Sequence, residues 1–213
     1  MHSLSTLGAI VVGSMVAAGS ASATMTTVMI QSNTAGSTEG LGRFTGSLSY
    51  TGDTLNTGTL TIVLSNTNTP AQGGYITGLV FNIPSSDSAA VTQLAATSVS
   101  GFQNLGPSAP ASPFGSYDAG AALGGSWLGG GSPTGGIAVG HSGTFTFQIT
   151  AADASAFTAS SFLASGSSPS PLVRFKGFAN GGSDKVPGVL VPAPGAAALL
   201  VGAGLVGFRR RRR

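Results

Sequence analysis

Thr59-Leu60-Thr61-Ile62-Val63-Leu64-Ser65 is the stretch that decides the fold. Leu60, Ile62 and Leu64 fall on one side of an extended chain, with Thr59, Thr61 and Val63 on the other. That period of two is the mark of a half-buried β-strand. The same alternation recurs outward from it. Arg43 to Thr51 puts Phe44, Leu48 and Tyr50 on one face, and Tyr75 to Ile83, Val91 to Gly101, Thr144 to Thr150 and Leu172 to Phe178 are further strands. All are rich in β-branched and aromatic residues and bounded by Gly, Pro, Asn or Ser clusters. Six to nine short strands joined by turn chemistry predict an all-β body at residues 24–188. The expected form is an antiparallel β-sandwich of the jelly-roll or immunoglobulin-like kind. One helical signal interrupts the pattern, from Asp153 to Ala164, where Asp153 would cap a short helix carrying Phe157 and Phe162.

Composition bounds what this body can do. Only 7% of the 213 residues are charged, against about 25% in an ordinary soluble domain. Five of the nine basic residues are Arg209, Arg210, Arg211, Arg212 and Arg213, so the remainder has four bases against six acids. The basic balance therefore belongs to the tail and predicts no nucleic-acid-binding surface. Cysteine is absent, which excludes thiolate catalysis and cysteine-ligated metals. It also leaves packing and ladder hydrogen bonds to hold the body without disulfides.

The two ends read as topogenic segments. Residues 1–23 carry an apolar run from Leu7 to Ala18, then Ala21-Ser22-Ala23, the small-x-small pattern of signal-peptide cleavage. Cleavage after Ala23 leaves Thr24 first; the alternative is an uncleaved anchor. The last segment, 189–213, contains Val191-Pro192-Ala193-Pro194, the apolar run Ala196 to Phe208, and the five arginines. Thirteen apolar residues form a helix about 20 Å long against a hydrocarbon core of about 30 Å. Pro194 suits the first turn of such a helix. The arginines resist membrane passage and hold the end on the cytoplasmic side.

Prolines, a short hydrophobic helix and a terminal arginine cluster, in that order, resemble the PEP-CTERM sorting signal of exported bacterial proteins. The resemblance covers about 23 residues, and Ala193 stands where the family usually has an acid. It implies an exosortase-like processing enzyme that acts near Val191, Pro192, Ala193 and Pro194. The implied route runs from the export machinery, through a membrane-anchored precursor, to the cell surface or extracellular matrix. An ordinary anchor that stays uncut is the alternative. The Gly-rich segment from 120 to 143, and Val173 to Phe178 followed by Gly181 to Lys185, resemble the bodies of other proteins sorted this way. They imply no more than a surface or matrix role.

Sites for chemistry are sparse. Ten glycines lie between Gly120 and Gly143, but no Lys follows them and no G-x-G-x-x-G register occurs among them, so nucleotide binding is not expected. Leu123, Trp127, Leu128, Ile137 and Val139 predict an ordered loop packed on the body. Neither G-x-S-x-G nor S-x-x-K occurs. His141 is the single histidine after the leader; as a general base it would need Asp118 or Asp153 to orient it, and otherwise it is a solvated turn residue. Paired carboxylates for glycoside hydrolysis would have to come from Glu39, Asp53, Asp87, Asp118, Asp153 and Asp184, each in a polar or Gly-rich stretch. No cofactor is expected. A structural calcium is the one metal considered, in the oxygen-rich turns Thr51 to Asn56 and Asn180 to Asp184.

A binding role would fall to aromatic residues in loops. Trp127 and Tyr117 are the leading ligand-contact candidates, with Tyr75 and Phe114 behind them, and the partner would be a polysaccharide; the alternative is that each ring is a core plug beneath its loop. Arg174 and Lys176 alternate with Val173 and Phe175, which predicts one solvated strand face. The leading expectation is a non-enzymatic exported surface or matrix (biofilm or envelope) protein. A carbohydrate-binding adhesin is the alternative, followed by a secreted hydrolase.

Overall fold

The computed structural model describes residues 24–128, 132–163 and 168–192. Ala21, Ala23, Ala193, Pro194, Arg209 to Arg213 and the apolar runs of both ends, on which the expected signal peptide and C-terminal helix fall, lie outside the described residues. Among the described residues there are twelve strands: β1 (Met25–Ser32), β2 (Phe44–Gly52), β3 (Thr57–Asn66), β4 (Gly73–Phe81), β5 (Val91–Thr97), β6 (Phe102–Leu105), β7 (Ala109–Pro110), β8 (Ser116–Tyr117), β9 (Ala119–Leu123), β10 (Ser142–Thr150), β11 (Leu172–Phe178) and β12 (Ser183–Leu190). The body is all-β, as the alternating stretches predict.

Ten strands form one sheet in the order β5-β10-β3-β2-β1-β12-β11-β4-β9-β6, and every pairing is antiparallel. The sheet curls almost into a barrel. Its edge strands β5 and β6 come close, and the Leu94 N–H donates to Asn104 Oδ1 across the gap at 2.8 Å. Strand β3 shows the predicted alternation without exception: Leu60, Ile62 and Leu64 are buried, and the residues between them are half-buried. Its neighbours match it in register, with Leu48 opposite Ile62 on β2 and Phe145 opposite Ile62 on β10.

The core lies inside the curl. Rings from strands far apart in the sheet meet there: Phe81 on β4 with Phe147 on β10 (centroids 4.9 Å), Phe102 on β6 with Phe145 on β10 (4.9 Å), and Phe44 on β2 with Phe175 on β11 (6.5 Å). The expected helix between Asp153 and Ala164 is instead two short 3-10 turns, Ala154–Ala156 and Ala159–Leu163. Asp153 makes no side-chain cap there, because its carboxylate accepts from Ser85 and Ser86. The turns still deliver Phe157 and Phe162 to the core, where both rings pack on Tyr50.

A second, smaller apolar cluster covers the outer face of β4, β9 and β11. Val80, Ala122 and Leu172 supply its floor, and Leu105, Ala109, Ala111, Tyr117 and Trp127 cover them.

Candidate functional site

Trp127 and Tyr117 meet in that outer cluster, and neither presents an exposed ring. Trp127 is 3% exposed and Tyr117 is 1% exposed. Of the two expected readings these two residues take the core plug: both fill the space between the sheet and its covering loops. Gly78 makes room for the indole. A Cβ at that position would lie 3.1 Å from Trp127 Cε3. The Trp127 Nε1 is buried without a hydrogen-bond partner. Tyr117 is fixed by its hydroxyl, which donates to Pro169 O at 2.6 Å, and burial pushes its pKa up to about 12. A cleft of about 340 Å³ opens between Leu105–Pro110 and Gly125–Leu128, with Trp127 in its wall. Its described lining carries no titratable side chain.

Beside the indole, Arg174 overturns an expectation. The residue is 8% exposed, not solvated. It donates through Nη1 to Trp127 O and through Nη2 to Leu128 O, so it fastens the Gly-rich loop to β11. Its Nε is buried without a partner. Burial lowers its pKa, and its charge in turn helps to lower those of Lys176 and Lys185, for which burial is the larger cause. Lys185 pairs with Arg174 across the β11–β12 ladder, and Lys176 lies two residues along. Of the apolar residues expected to pack this loop on the body, Leu123, Trp127 and Ile137 are buried, but Leu128 is exposed.

His141 and Asp153, considered together for catalysis, are kept apart. His141 precedes β10 and Asp153 follows it, so a nine-residue strand about 30 Å long separates them. Asp118 accepts from the Ile83 N–H at 2.9 Å. His141 is exposed in a turn that its own N–H closes on Ala138 O. Among the described residues, no group of three or more His, Cys, Asp or Glu is placed to hold a metal ion.

The two oxygen-rich turns are hairpin connections whose carboxylates already have donors. Asp53 Oδ2 accepts from Thr59 Oγ1 at 2.7 Å and from Gln148 Nε2 at 3.3 Å. Asp184 is 1% exposed and points away from its turn into the body. Its Oδ1 accepts from Thr38 Oγ1 and the Glu39 N–H, both at 2.9 Å. Its Oδ2 accepts from the Leu41 N–H at 2.8 Å and the Gly42 N–H at 2.9 Å. Sequence reasoning gave this residue to a calcium turn and missed its role as the fastener of the loop between β1 and β2. The missed signal is parity: Asp184 shares the inward phase of Val186 on β12.

Of the expected processing segment, Val191 and Pro192 are described. The Val191 N–H donates to Met29 O at 2.9 Å, which holds the start of the motif against β1. Among the described residues, no helix is long and apolar enough to cross a membrane. No family model, no curated protein and no solved structure matches the chain.

Proposed function

We propose that the chain is a non-enzymatic exported protein of the bacterial cell surface or extracellular matrix, sorted through its PEP-CTERM-like tail. The observation that carries this reading is the junction at Leu190. The last strand ends there, and Val191-Pro192-Ala193-Pro194, the apolar run and the five arginines follow in sequence. The motif thus begins at the end of the last described strand, an arrangement that lets a processing enzyme act on the tail without unfolding the described sheet.

In this reading residues 1–23 leave after Ala23 during export. The segment from Ala196 to Phe208 then holds the precursor in the membrane, with Arg209 to Arg213 on the cytoplasmic side. An exosortase-like enzyme acts near Val191 to Pro194 and releases the body. We read that body as a β-sandwich whose two layers share β12, a reading supported by the Phe81–Phe147 and Phe44–Phe175 contacts across the core. Its surface of Ser, Thr, Gly and Asn neither repels nor steers strongly, which suits a packed matrix.

Mass spectrometry of cell-associated and shed protein tests the proposal. The expected termini are Thr24 and a residue of the Val191 to Pro194 motif. Mature molecules that retain Arg213 would refute processing and leave a permanent anchor.

A further inference from the structure

Among the described residues, six of the eight large hydrophobics left exposed lie around the two points where the chain enters and leaves the described body, Val91 and Leu128 being the others. Met25 and Met29 point outward from β1, and Val189, Leu190 and Val191 are exposed at the end of β12. Their neighbourhood is fixed by hydrogen bonding. Gln31 pairs with Val189, and Met29 O accepts from the Val191 N–H. Leu55, 75% exposed, stands at the tip of the β2–β3 hairpin and shares a cleft with Thr24 and Thr26. Because β12 runs antiparallel to β1, the chain at Val191 is heading toward the end of the molecule where Thr24 lies. Four residues, Pro192 to Gly195, separate it from the apolar run that starts at Ala196. Fully extended they span at most about 14 Å.

We propose that this strip, Met25, Met29, Val189 and Val191 with Leu55 beside it, is the face the body lays on the bilayer surface while the tail is intact. The proposal rests on the reading of the tail as a membrane anchor. A tether of that length keeps the strip at the headgroup layer, and burying exposed apolar side chains there is favourable. The charges nearby select the lipid. Leu55 O accepts from the Ser155 N–H, which brings Asp153 to the same end; Asp87 reaches the adjoining Ala152 N–H, and Asp53 belongs to the hairpin itself. β1 and β2 carry no charged residue. Three carboxylates at this end outnumber Lys185, which lies four residues before Val189 on the same phase of β12, and favour zwitterionic over anionic headgroups.

The test exploits the absence of cysteine. Single substitutions Met29→Cys, Leu55→Cys and Val189→Cys, with His141→Cys at the opposite end and Leu200→Cys in the tail, are labelled with an environment-sensitive dye in the full chain. Phosphatidylcholine vesicles should blue-shift the dyes at 29, 55, 189 and 200 but not at 141, and phosphatidylglycerol should weaken the shifts of the body dyes. A shift at 200 alone leaves the anchor standing and overturns the lipid-facing strip. Shifts at 29, 55 and 189 without one at 200 uphold the strip and overturn the anchor. No shift anywhere overturns both. Shifts at 29 and 189 that grow with protein concentration before lipid is added would assign the strip to a second copy of the chain and overturn the proposal.

Discussion

Replacing Asp184 with Asn should unfasten the loop that joins β1 to β2. The carboxylate takes two donors on each oxygen: Thr38 Oγ1 and the Glu39 N–H on Oδ1, and the Leu41 and Gly42 N–H groups on Oδ2. An asparagine keeps the shape but supplies one acceptor oxygen. Whichever way the amide turns, its NH₂ faces two donors, and two bonds are lost. Hydrogen bonds to a charged acceptor contribute about 1.5–3 kcal/mol each, and a buried donor left without a partner costs about 1–3 kcal/mol. The two penalties overlap, and a single change rarely exceeds about 4–5 kcal/mol, so about 3 kcal/mol is expected. For a body of this size each kcal/mol lowers Tm by about 2–4 °C, which gives a fall of about 6–12 °C. Thermal and urea unfolding measure it. Hydrogen exchange localises it, since the amides of Glu39, Leu41 and Gly42 should lose protection first. Glu39→Gln, an exposed change in the same loop, should stay within about 0.5 kcal/mol. An Asp184→Asn protein melting within 2 °C (about 1 kcal/mol) of the parent would refute the reasoning.

Burial pushes Tyr50 and Tyr117 up to about 12, with Asp53 and Asp153 adding to the effect at Tyr50. A folded pKa above the unfolded value means stability that is complete below pH about 10 and lost as pH rises toward 12. Ultraviolet titration should show these two phenols ionising only as pH approaches about 12, and unfolding midpoints should fall over the same window. Asp153 has the opposite sign: the Ser85 hydroxyl, then the Ser86 N–H, hold its carboxyl below the usual value. Its contribution is present above pH about 4 and lost as pH falls. Asp153→Asn should therefore flatten the acid limb of a stability–pH curve; an unchanged limb would count against the Ser85 and Ser86 contacts. Gly58→Ala would place a Cβ 1.9 Å from the Tyr50 hydroxyl, which donates to Ala154 O at 2.7 Å. Overpacking there should cost about 1–3 kcal/mol in urea unfolding, with weakened protection at Ala154–Ala156.

What could be read in advance followed from side-chain periodicity, and what could not followed from its absence. β3, β10 and β11 carry large apolar residues at alternate positions, so their place in the sheet was legible. β9, Ala119-Gly120-Ala121-Ala122-Leu123, has almost no side chains to alternate, because both of its faces are covered and space is short: a Cβ at Gly120 would lie 2.2 Å from Leu79 O. β12 contains Pro187, which normally argues against an interior strand. It is tolerated because that strand changes partners, bonding β11 through residues up to Pro187 and β1 from Gly188 onward. Arg174 was misplaced for a related reason. Alternation correctly put it on the outer face, but a local pattern cannot show that the loop around Trp127, some 47 residues earlier, folds over that face.

The scarcity of charge now has a structural counterpart. Five of the six acids accept hydrogen bonds that join segments distant in sequence. Asp53 reaches Gln148, Asp87 reaches the Ala152 N–H, Asp118 the Ile83 N–H, Asp153 Ser85 and Asp184 the Gly42 N–H. The separations run from 35 to 142 residues. In a chain without cysteine these carboxylates close the loops that disulfides commonly close in exported domains. Two consequences follow from the same fact. Acids whose oxygens hold backbone and hydroxyl donors are poorly placed to serve as a catalytic pair, whatever their spacing in sequence. And the loop-closing role of Asp153, whose carboxyl Ser85 and Ser86 hold below its usual value, is lost in acid and regained on neutralisation, unlike a disulfide. Acid should loosen the Ser85–Ser86 loop before it melts β3 and β10, and a redox agent should have no effect. Hydrogen exchange followed as pH falls would check this, with protection lost first near Ser86 and kept longest at Ile62 and Phe145. Simultaneous loss across all three sites would show that this carboxylate merely decorates a framework already fixed by the core.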